Sequence, residues 1–197
     1  MKKIVLVIAA SIVGLAILGV IMFVGSYNNL VGMDEGVSSS WADVETAYQR
    51  RADLIPNLVN TVKGYAEFEQ ETLTQVIEAR SKATSVNIDA NNLSPEAISK
   101  FQSAQDGLSG ALSRLLVTIE KYPDLKANPN FMALQQELTN TENKIGFERQ
   151  KFNKKVEAYN GAIRKFPTMI LANMAGFDAK GYFQSEAGSE KAPEVNF

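Results

Sequence analysis

The pattern of hydrophobic positions divides the chain at residue 24. Residues 4–24 carry no charged side chain and are apolar apart from Ser11, Gly14 and Gly19. Beyond them, apolar residues recur at intervals of three and four, the spacing of an α-helix that buries one face. No stretch of useful length alternates apolar and polar residues as a half-buried strand does. The pattern therefore predicts an all-α chain.

Residues 4–24 have the length of a membrane-spanning helix. At 1.5 Å per residue they extend about 30 Å, the thickness of the hydrocarbon core of a bilayer. A cleaved signal peptide has a shorter apolar region, about 7–15 residues, followed by a small-residue cleavage site. The run here ends instead in Met22-Phe23-Val24. We predict an uncleaved signal-anchor over residues 1–26, with a removed signal peptide as the alternative, and the lipid bilayer as the partner of residues 4–24.

The charges that flank the apolar segment predict its orientation. Lys2 and Lys3 precede it, and the next cation is Arg50, whereas four acids intervene: Asp34, Glu35, Asp43 and Glu45. Cationic flanks stay on the cytoplasmic side of a membrane. We therefore expect a single-pass protein with a cytoplasmic N-terminus and its body on the periplasmic or extracellular side.

The body, residues 27–166, reads as four helices. The first stripe could continue the membrane helix without a break, although Gly25, Gly32 and Gly36 weaken it; its apolar residues are Leu30, Met33, Val37, Trp41, Val44 and Tyr48. The pattern is interrupted from Arg50 to Asp53. Asp53 can cap a second helix with Pro56 in its first turn, where a missing N–H costs nothing. The stripe of that helix includes Leu54, Leu58, Val62, Tyr65, Leu73, Val76 and Ala83.

Two further helices begin with a capping residue followed by proline. Ser94-Pro95 opens the third, which ends at Tyr122-Pro123, and Asn128-Pro129 opens the fourth. In the fourth, five apolar residues fall seven apart: Phe131, Leu138, Ile145, Phe152 and Tyr159. Short connections and heptad spacing favour an antiparallel up-down four-helix bundle.

The remainder, residues 167–197, has a mixed pattern. An apolar group suggests a short docked helix: Met169, Ile170, Leu171 and Met174. Residues 185–194 are polar and are expected to be disordered. We treat residues 167–197 as a C-terminal short helix with a mostly irregular tail.

The composition then limits the kinds of catalysis and binding that the chain can perform. The 197 residues include no cysteine and no histidine, which excludes disulfides, thiolate or imidazole catalysis and Cys/His zinc sites. The net charge is −2; without Lys2 and Lys3 the body has 18 basic and 22 acidic residues, a charge of −4. An acidic body is a poor nucleic-acid binder. Phosphate-binding and nucleophile motifs are absent from the sequence. We predict a non-enzymatic protein without a metal or cofactor.

Two groups of polar residues are candidates for function. Glu142, Arg149, Asn153 and Asn160 share one edge of the fourth helix at spacings of 7, 4 and 7. They either fix helix register or form a polar cleft for a ligand. Arg50, Arg51 and Asp53 lie at the predicted turn between the first two helices. They either cap the two helix ends or bind a carboxylate or phosphate of a partner.

Several motifs resemble those of one bacterial family. Trp41-Ala42-Asp43-Val44 precedes the most specific run, residues 48–59, Tyr-Gln-Arg-Arg-Ala-Asp-Leu-Ile-Pro-Asn-Leu-Val. Tyr122-Pro123-Asp124-Leu125 and the Glu142 to Asn160 series follow in register. The sequence is similar to the LemA family. That resemblance implies a bacterial membrane protein with one N-terminal membrane helix and a bundle of about four helices, and it implies no reaction.

These observations lead to one principal hypothesis and two alternatives. The principal one is a tethered scaffold or interaction module at the surface of the bacterial cell (inner) membrane, with a protein partner or homo-oligomeric contacts. The first alternative is a ligand-sensing bundle that uses the polar cleft. The second, suggested by a magnetosome-membrane relative within the family, is a self-assembling protein that shapes membranes.

Overall fold

The computed structural model describes residues 2–64 and 69–185. Within them every regular element is a helix, which confirms the all-α prediction. The helices are α1 (Lys2–Lys63), α2 (Gln70–Ser85), α3 (Pro95–Ile119), α4 (Pro123–Lys126), α5 (Pro129–Arg164) and α6 (Thr168–Ala175). Residues 177–185 have no regular structure, and we call them the C-terminal strap.

The first helix is continuous through the predicted break. α1 spans 62 residues with Pro56 inside it, so the predicted helix end at Arg50 and helix start at Asp53 are wrong. Proline has no N–H, so the carbonyl of Ala52 loses its usual intrahelical donor. Arg80 of α2 replaces that donor, because its Nε–H donates to the Ala52 oxygen at 2.7 Å. A tertiary contact thus satisfies the group that would otherwise favour a helix end.

The second predicted helix is therefore divided. Its first part belongs to α1, where Ile55, Leu58 and Val62 continue the buried stripe. Its second part is α2, which begins at Gln70. Tyr65, which the sequence assigned to this stripe, lies outside the described residues.

The other predicted helix starts are confirmed. Ser94 Oγ accepts the N–H of Ala97 at 3.2 Å, and Asn128 Oδ1 accepts those of Asn130 and Phe131 at 2.9 and 3.2 Å. The predicted short C-terminal helix is α6, which ends at Gly176 in the left-handed conformation with φ 77°. The predicted connection after Tyr122 contains the short helix α4.

Two ion pairs show how the long helices pair. Asp43 contacts Lys151 at 2.6 Å, and Arg51 contacts Glu142 at 2.7 Å. Residue numbers rise along α1 as they fall along α5, so these helices are antiparallel. α2 packs on α3.

The interior consists of two buried clusters. The proximal core lies nearer the apolar end of α1 and combines α1, α3, α5, α6 and the C-terminal strap; it contains Leu30, Val37, Trp41, Tyr48, Phe101, Ile145, Phe152, Tyr159, Leu171 and Phe183. The distal core is aliphatic apart from Phe131 and includes Ile55, Leu58, Val62, Leu73, Leu108, Leu115, Leu125 and Leu138. Arg51 lies where the two clusters meet.

The apolar start of α1 projects beyond both cores. Ile8, Leu15 and Met22 are each more than half exposed. Among the described residues, α1 is the helix long and apolar enough to cross a membrane. Of the predicted disordered stretch 185–194, only Ser185 lies within the described residues.

Candidate functional site

Arg51 is the most buried charged residue of the bundle, at 1% exposure. Its Nη1 donates to Ser109 Oγ at 2.8 Å and to Glu142 Oε1 at 2.7 Å. Its Nη2 donates to the main-chain oxygen of Gln105 at 3.2 Å and to Gln105 Oε1 at 2.7 Å. The guanidinium also lies over the ring of Tyr48, 5.0 Å from its centroid. One side chain of α1 thus binds α3 and α5 at mid-bundle.

This network gives Arg51 a structural role different from the predicted cap. A buried guanidinium destabilises a fold unless its N–H groups are paired. Four contacts pair Nη1 and Nη2 here, whereas Nε is buried without a hydrogen-bond partner. Its neighbour Arg50 is exposed and pairs with Glu137 at 2.8 Å, while Asp53 accepts a hydrogen bond from Gln49 at 2.7 Å. Because all three residues lie within α1, the predicted capping of two helix ends is wrong for each of them.

The polar edge of α5 binds the C-terminal strap. Asn153 Nδ2 donates to the carbonyl of Phe183 at 2.9 Å, and Asn153 Oδ1 accepts the Phe183 N–H at 3.0 Å. Asn160 forms the same pair of bonds with the main chain of Lys180, both at 2.9 Å. Each amide side chain therefore replaces the neighbouring strand that an extended chain would have in a sheet.

The spacing of these two asparagines matches the strap geometrically. Seven residues of α-helix rise about 10.5 Å, and three residues of extended chain cover about 10 Å. Asn153 and Asn160 are seven apart and bind residues three apart, in opposite chain directions. The polar edge was predicted to fix helix register or to form a cleft for a ligand. Instead, the spacing of its two asparagines matches an extended segment of the same chain.

The remaining members of the edge continue the same contacts. Arg149 Nη2 donates to the carbonyl of Gln184 at 2.8 Å, and its guanidinium lies 4.9 Å from the ring centroid of Phe183. Glu142 does not reach the strap and instead pairs with Arg51. Three of the four predicted edge residues therefore converge on one segment, and the fourth belongs to the Arg51 network.

α3 holds the other side of the strap. Gln102 Nε2 donates to the carbonyl of Gln184 at 3.0 Å and Gln102 Oε1 accepts its N–H at 2.9 Å. Gly181 crosses the start of α3, where its N–H donates to the Leu93 oxygen at 2.8 Å. A Cβ at position 181 would lie 2.7 Å from the Cα of Pro95, so only glycine fits this crossing without a backbone shift.

Phe183 anchors the strap in the proximal core. Its ring stacks on Trp41 with a centroid distance of 6.0 Å and an interplanar angle of 14°. It meets Phe152 edge-on at 5.6 Å and Phe101 at 6.4 Å. Buried aromatic pairs at these distances add to the stabilisation from area burial alone. The strap therefore contributes a side chain to the core as well as backbone contacts to its surface.

A charged contact secures the start of the strap. Lys180 Nζ lies 2.9 Å from Asp34 of α1 and 5.6 Å from the ring centroid of Tyr159, whose hydroxyl donates to the carbonyl of Asp178 at 3.0 Å. Burial raises the pKa of Tyr159 to about 12, with the negative charges of Asp34 and Asp178 adding to the shift. The phenol thus remains a neutral donor well above its ordinary titration range.

Sequence reasoning missed the strap and several of its partners. Gln102, Gly181 and Phe183 follow no helical stripe that would mark them, and Gln105 and Glu148 are buried polar residues within otherwise ordinary helices. The only signal for the strap was the pair Tyr182-Phe183 in a polar stretch. Within residues 2–64 and 69–185, no group of three or more acidic side chains is arranged to hold a metal ion.

The arrangement can bind an extended peptide through its backbone. Two asparagines and one glutamine each present a donor and an acceptor to one residue of the strap, and an aromatic pocket receives one side chain. In the structure this groove is occupied by the chain's own residues 178–184. The polar side chains thus have internal partners.

Comparison with known proteins agrees with the resemblance seen in the sequence. The pattern of the LemA family matches residues 40–197, which include α2 to α6 and most of the bundle part of α1. The chain is 27% identical to Protein LemA of Metamycoplasma hominis over 164 residues, covering 83% of this chain and 71% of that protein.

Two further relatives carry a different name. The chain is 24% identical to Magnetosome protein MamQ 2 of Paramagnetospirillum magneticum over 201 residues, covering 89% of this chain and 72% of the relative. It is 25% identical to Magnetosome protein MamQ of Magnetospirillum gryphiswaldense, covering 83% and 66%. Neither name denotes a reaction, and both fit a membrane location for the candidate span in α1. From the extent of the family match, the chain belongs to the LemA family.

Proposed function

We propose that this protein is a non-enzymatic interaction module, tethered to the bacterial cell (inner) membrane by a single uncleaved helix. The observation that carries the proposal is the continuity of α1. The same helix that contains the apolar residues 4–24 supplies Trp41 and Arg51 to the interior of the bundle. No linker separates anchor from body, so the body has a fixed position relative to the bilayer.

The geometry of the tether suits a scaffold. Residues 25–63 of α1 extend about 60 Å at 1.5 Å per residue, which holds the distal core far from the lipid. We take the outer part of α1 with α2, α3 and α5 as an up-down four-helix bundle. Its charged exterior and short connections give a rigid surface to which a partner protein or a second copy binds.

The occupied strap groove argues against the ligand-sensing alternative. Asn153, Asn160 and Arg149 already bind residues 180–184, and Glu142 binds Arg51. A ligand at this edge would have to displace a segment that also buries Phe183. We therefore favour interaction through the outer faces of the bundle over recognition at the polar edge.

The orientation is tested with single cysteines, since the natural sequence has none. Ser99→Cys and Ser113→Cys place thiols at exposed positions of α3. With the bundle on the periplasmic or extracellular side, a membrane-impermeant maleimide labels both in intact cells, or in spheroplasts where an outer membrane is present. Labelling that requires lysis would contradict this orientation.

The interaction role is tested by photo-crosslinking in living cells. A photoreactive residue replaces Ile77, Val117 or Phe147, one at a time; these are exposed on α2, α3 and α5 respectively. The control is Leu18 in the apolar segment, whose adducts report encounters within the bilayer. One bundle face should give a discrete adduct with a second protein or a second copy. If none of the three faces gives an adduct that Leu18 lacks, the interaction proposal is wrong.

Membrane shaping is a second candidate, favoured by the similarity to magnetosome proteins. Reconstitution of the full chain into large vesicles at increasing protein density tests it. Electron microscopy should then reveal tubules or uniformly small vesicles. Spherical vesicles of unchanged size at every density would eliminate this candidate.

A further inference from the structure

α6 lies beside the end of the apolar segment of α1, and not beside the polar bundle alone. Gly19, Met22 and Phe23 of α1 face Ile170, Leu171 and Met174 of α6 across an apolar groove of about 340 Å³. Gly19 is five residues before Val24, which corresponds to about 7.5 Å along the helix axis. If residues 4–24 cross a bilayer, α6 is at the depth of the last turns of the span.

The two faces of α6 differ in what covers them. Leu171 and Ala172 are buried in the proximal core. On the other face, Ile170 and Met174 are 52% and 75% exposed, and Phe166, which precedes the helix, is 79% exposed. Large exposed apolar side chains that adjoin one another mark an interaction surface. This surface is continuous with the apolar surface of α1, so the same surroundings that cover the span also cover it.

The residues around this surface follow the order of a membrane interface. Arg164 and Lys165 are exposed at the end of α5, directly before Phe166. Tyr27 is 42% exposed just after the span, and its ring meets Phe177 edge-on at 5.8 Å. Cations near the lipid phosphates, aromatic rings at the boundary and apolar side chains below are the arrangement of helices that lie in a bilayer surface.

We propose that α6, together with Phe166, is a second membrane contact that inserts into the leaflet from which the bundle emerges. Phe166, Ile170 and Met174 lie among the upper acyl segments, Arg164 and Lys165 contact anionic headgroups, and an acyl chain fills the groove between α1 and α6. Helices of this kind are buried about 5–10 Å into the headgroup and acyl boundary, which agrees with the depth read from Gly19. The occupant is lipid, and a second copy of the chain is the competing occupant.

This inference rests on the proposed membrane tether, and the experiment separates the two. The full chain is reconstituted in vesicles containing anionic lipid, with one spin-labelled cysteine at Phe166, Met174, Leu18 or Ser113. Accessibility to dissolved oxygen and to a water-soluble nickel complex is measured by power saturation. Leu18 serves as the reference for the span and Ser113 for water, and circular dichroism verifies that each variant folds.

We expect labels at 166 and 174 to be several-fold more accessible to oxygen than to nickel, as at 18, and opposite to 113. If 18 is lipid-protected but 166 and 174 behave like 113, the inference fails and the tether stands. If 18 itself is water-accessible, the tether fails too. Protection at 174 that is lost when the protein-to-lipid ratio is lowered about tenfold identifies a second copy as the occupant and overturns the inference.

The cations provide a second readout. Arg164→Gln together with Lys165→Gln should make the label at 174 shallower in anionic vesicles and leave it unchanged in zwitterionic ones. The matched control is Lys154→Gln together with Lys155→Gln, exposed on α5 farther from its end. Equal effects of the two pairs would contradict the assigned headgroup contact.

Discussion

The proximal and distal cores differ in how the chain completes them. The distal core closes with the aliphatic stripes of the helices and with Leu125 from α4. The proximal core needs a segment with no regular structure, because Phe183 fills the space among Trp41, Phe101 and Phe152. One half of the interior is therefore specified by periodicity and the other by a distant strap. We expect the two halves to respond differently to substitution.

The largest difference should come from Phe183→Ala. Removing a buried aromatic ring costs about 3–5 kcal/mol of folding free energy, because the neighbouring rings cannot fill the cavity. Tyr182→Ala is the matched control, since Tyr182 is 37% exposed. Hydrogen exchange should show lost protection in the proximal halves of α1 and α5 with the distal core retained. Equal loss of hydrogen-exchange protection in the two cores would contradict the claim that they respond separately to substitution.

Arg51→Ala should weaken both halves, because Arg51 lies where they meet. It leaves the two oxygens of the buried Gln105 without their donor, and an unpaired buried acceptor costs roughly 1–3 kcal/mol. The adjacent Arg50→Ala removes an exposed pair with Glu137 and should cost less than about 1 kcal/mol. Urea denaturation in detergent compares them, and similar values for the two variants would refute the assigned network.

Asn153→Ala tests whether the polar edge serves the strap. It leaves the N–H and carbonyl of Phe183 without their side-chain partner, which costs about 2 kcal/mol. The control Asn143→Ala removes an exposed amide from the same helix. Limited proteolysis should cut the strap faster only in the first variant. Unchanged cleavage would show that the two hydrogen bonds of Asn153 do not hold the segment.

A double-mutant cycle tests the continuity of α1 through Pro56. Arg80→Met should cost about 1 kcal/mol, since it leaves the Ala52 carbonyl unpaired. Pro56→Ala restores the intrahelical N–H, so the cost of Arg80→Met should largely vanish in that background. Additive effects in thermal unfolding would mean that Arg80 stabilises the distal half in some other way.

The smallest expected effect is a pH dependence confined to the proximal half. The pKa of Tyr159 is raised to about 12, above its ordinary 10.0. Its contribution to stability is complete below pH 10 and is lost as pH rises toward 12. Tyr159→Phe should therefore show a shallower loss of stability across that range than the natural chain. The free energy of unfolding of both proteins is measured by denaturation at each pH. If it falls equally steeply with pH in the two proteins, this assignment is wrong.

Particular residues show what the sequence predicts and where it fails. Ser94-Pro95 and Asn128-Pro129 are local signals, and both helix starts are where they indicate. Pro56 is also a local signal, yet it misleads, because Arg80 supplies the missing donor from another helix. Asn153 and Asn160 were recognisable as a set, but their partner is an irregular strap whose register no periodicity describes. The local pattern fails to predict the continuity of α1 through Pro56 and the position of the strap, because both depend on contacts between segments that are distant in the sequence.

The central claim is that α1 is one unbroken helix from the membrane span into the bundle. Spin labels at Ile17→Cys and Ala42→Cys, both exposed, test it in vesicles by measuring the distance between them. Twenty-five residues of helix correspond to about 38 Å, and we predict a narrow distribution near that value across Gly19, Gly25, Gly32 and Gly36. A broad distribution, or one centred well below that distance, would show a hinge and contradict the fixed tether.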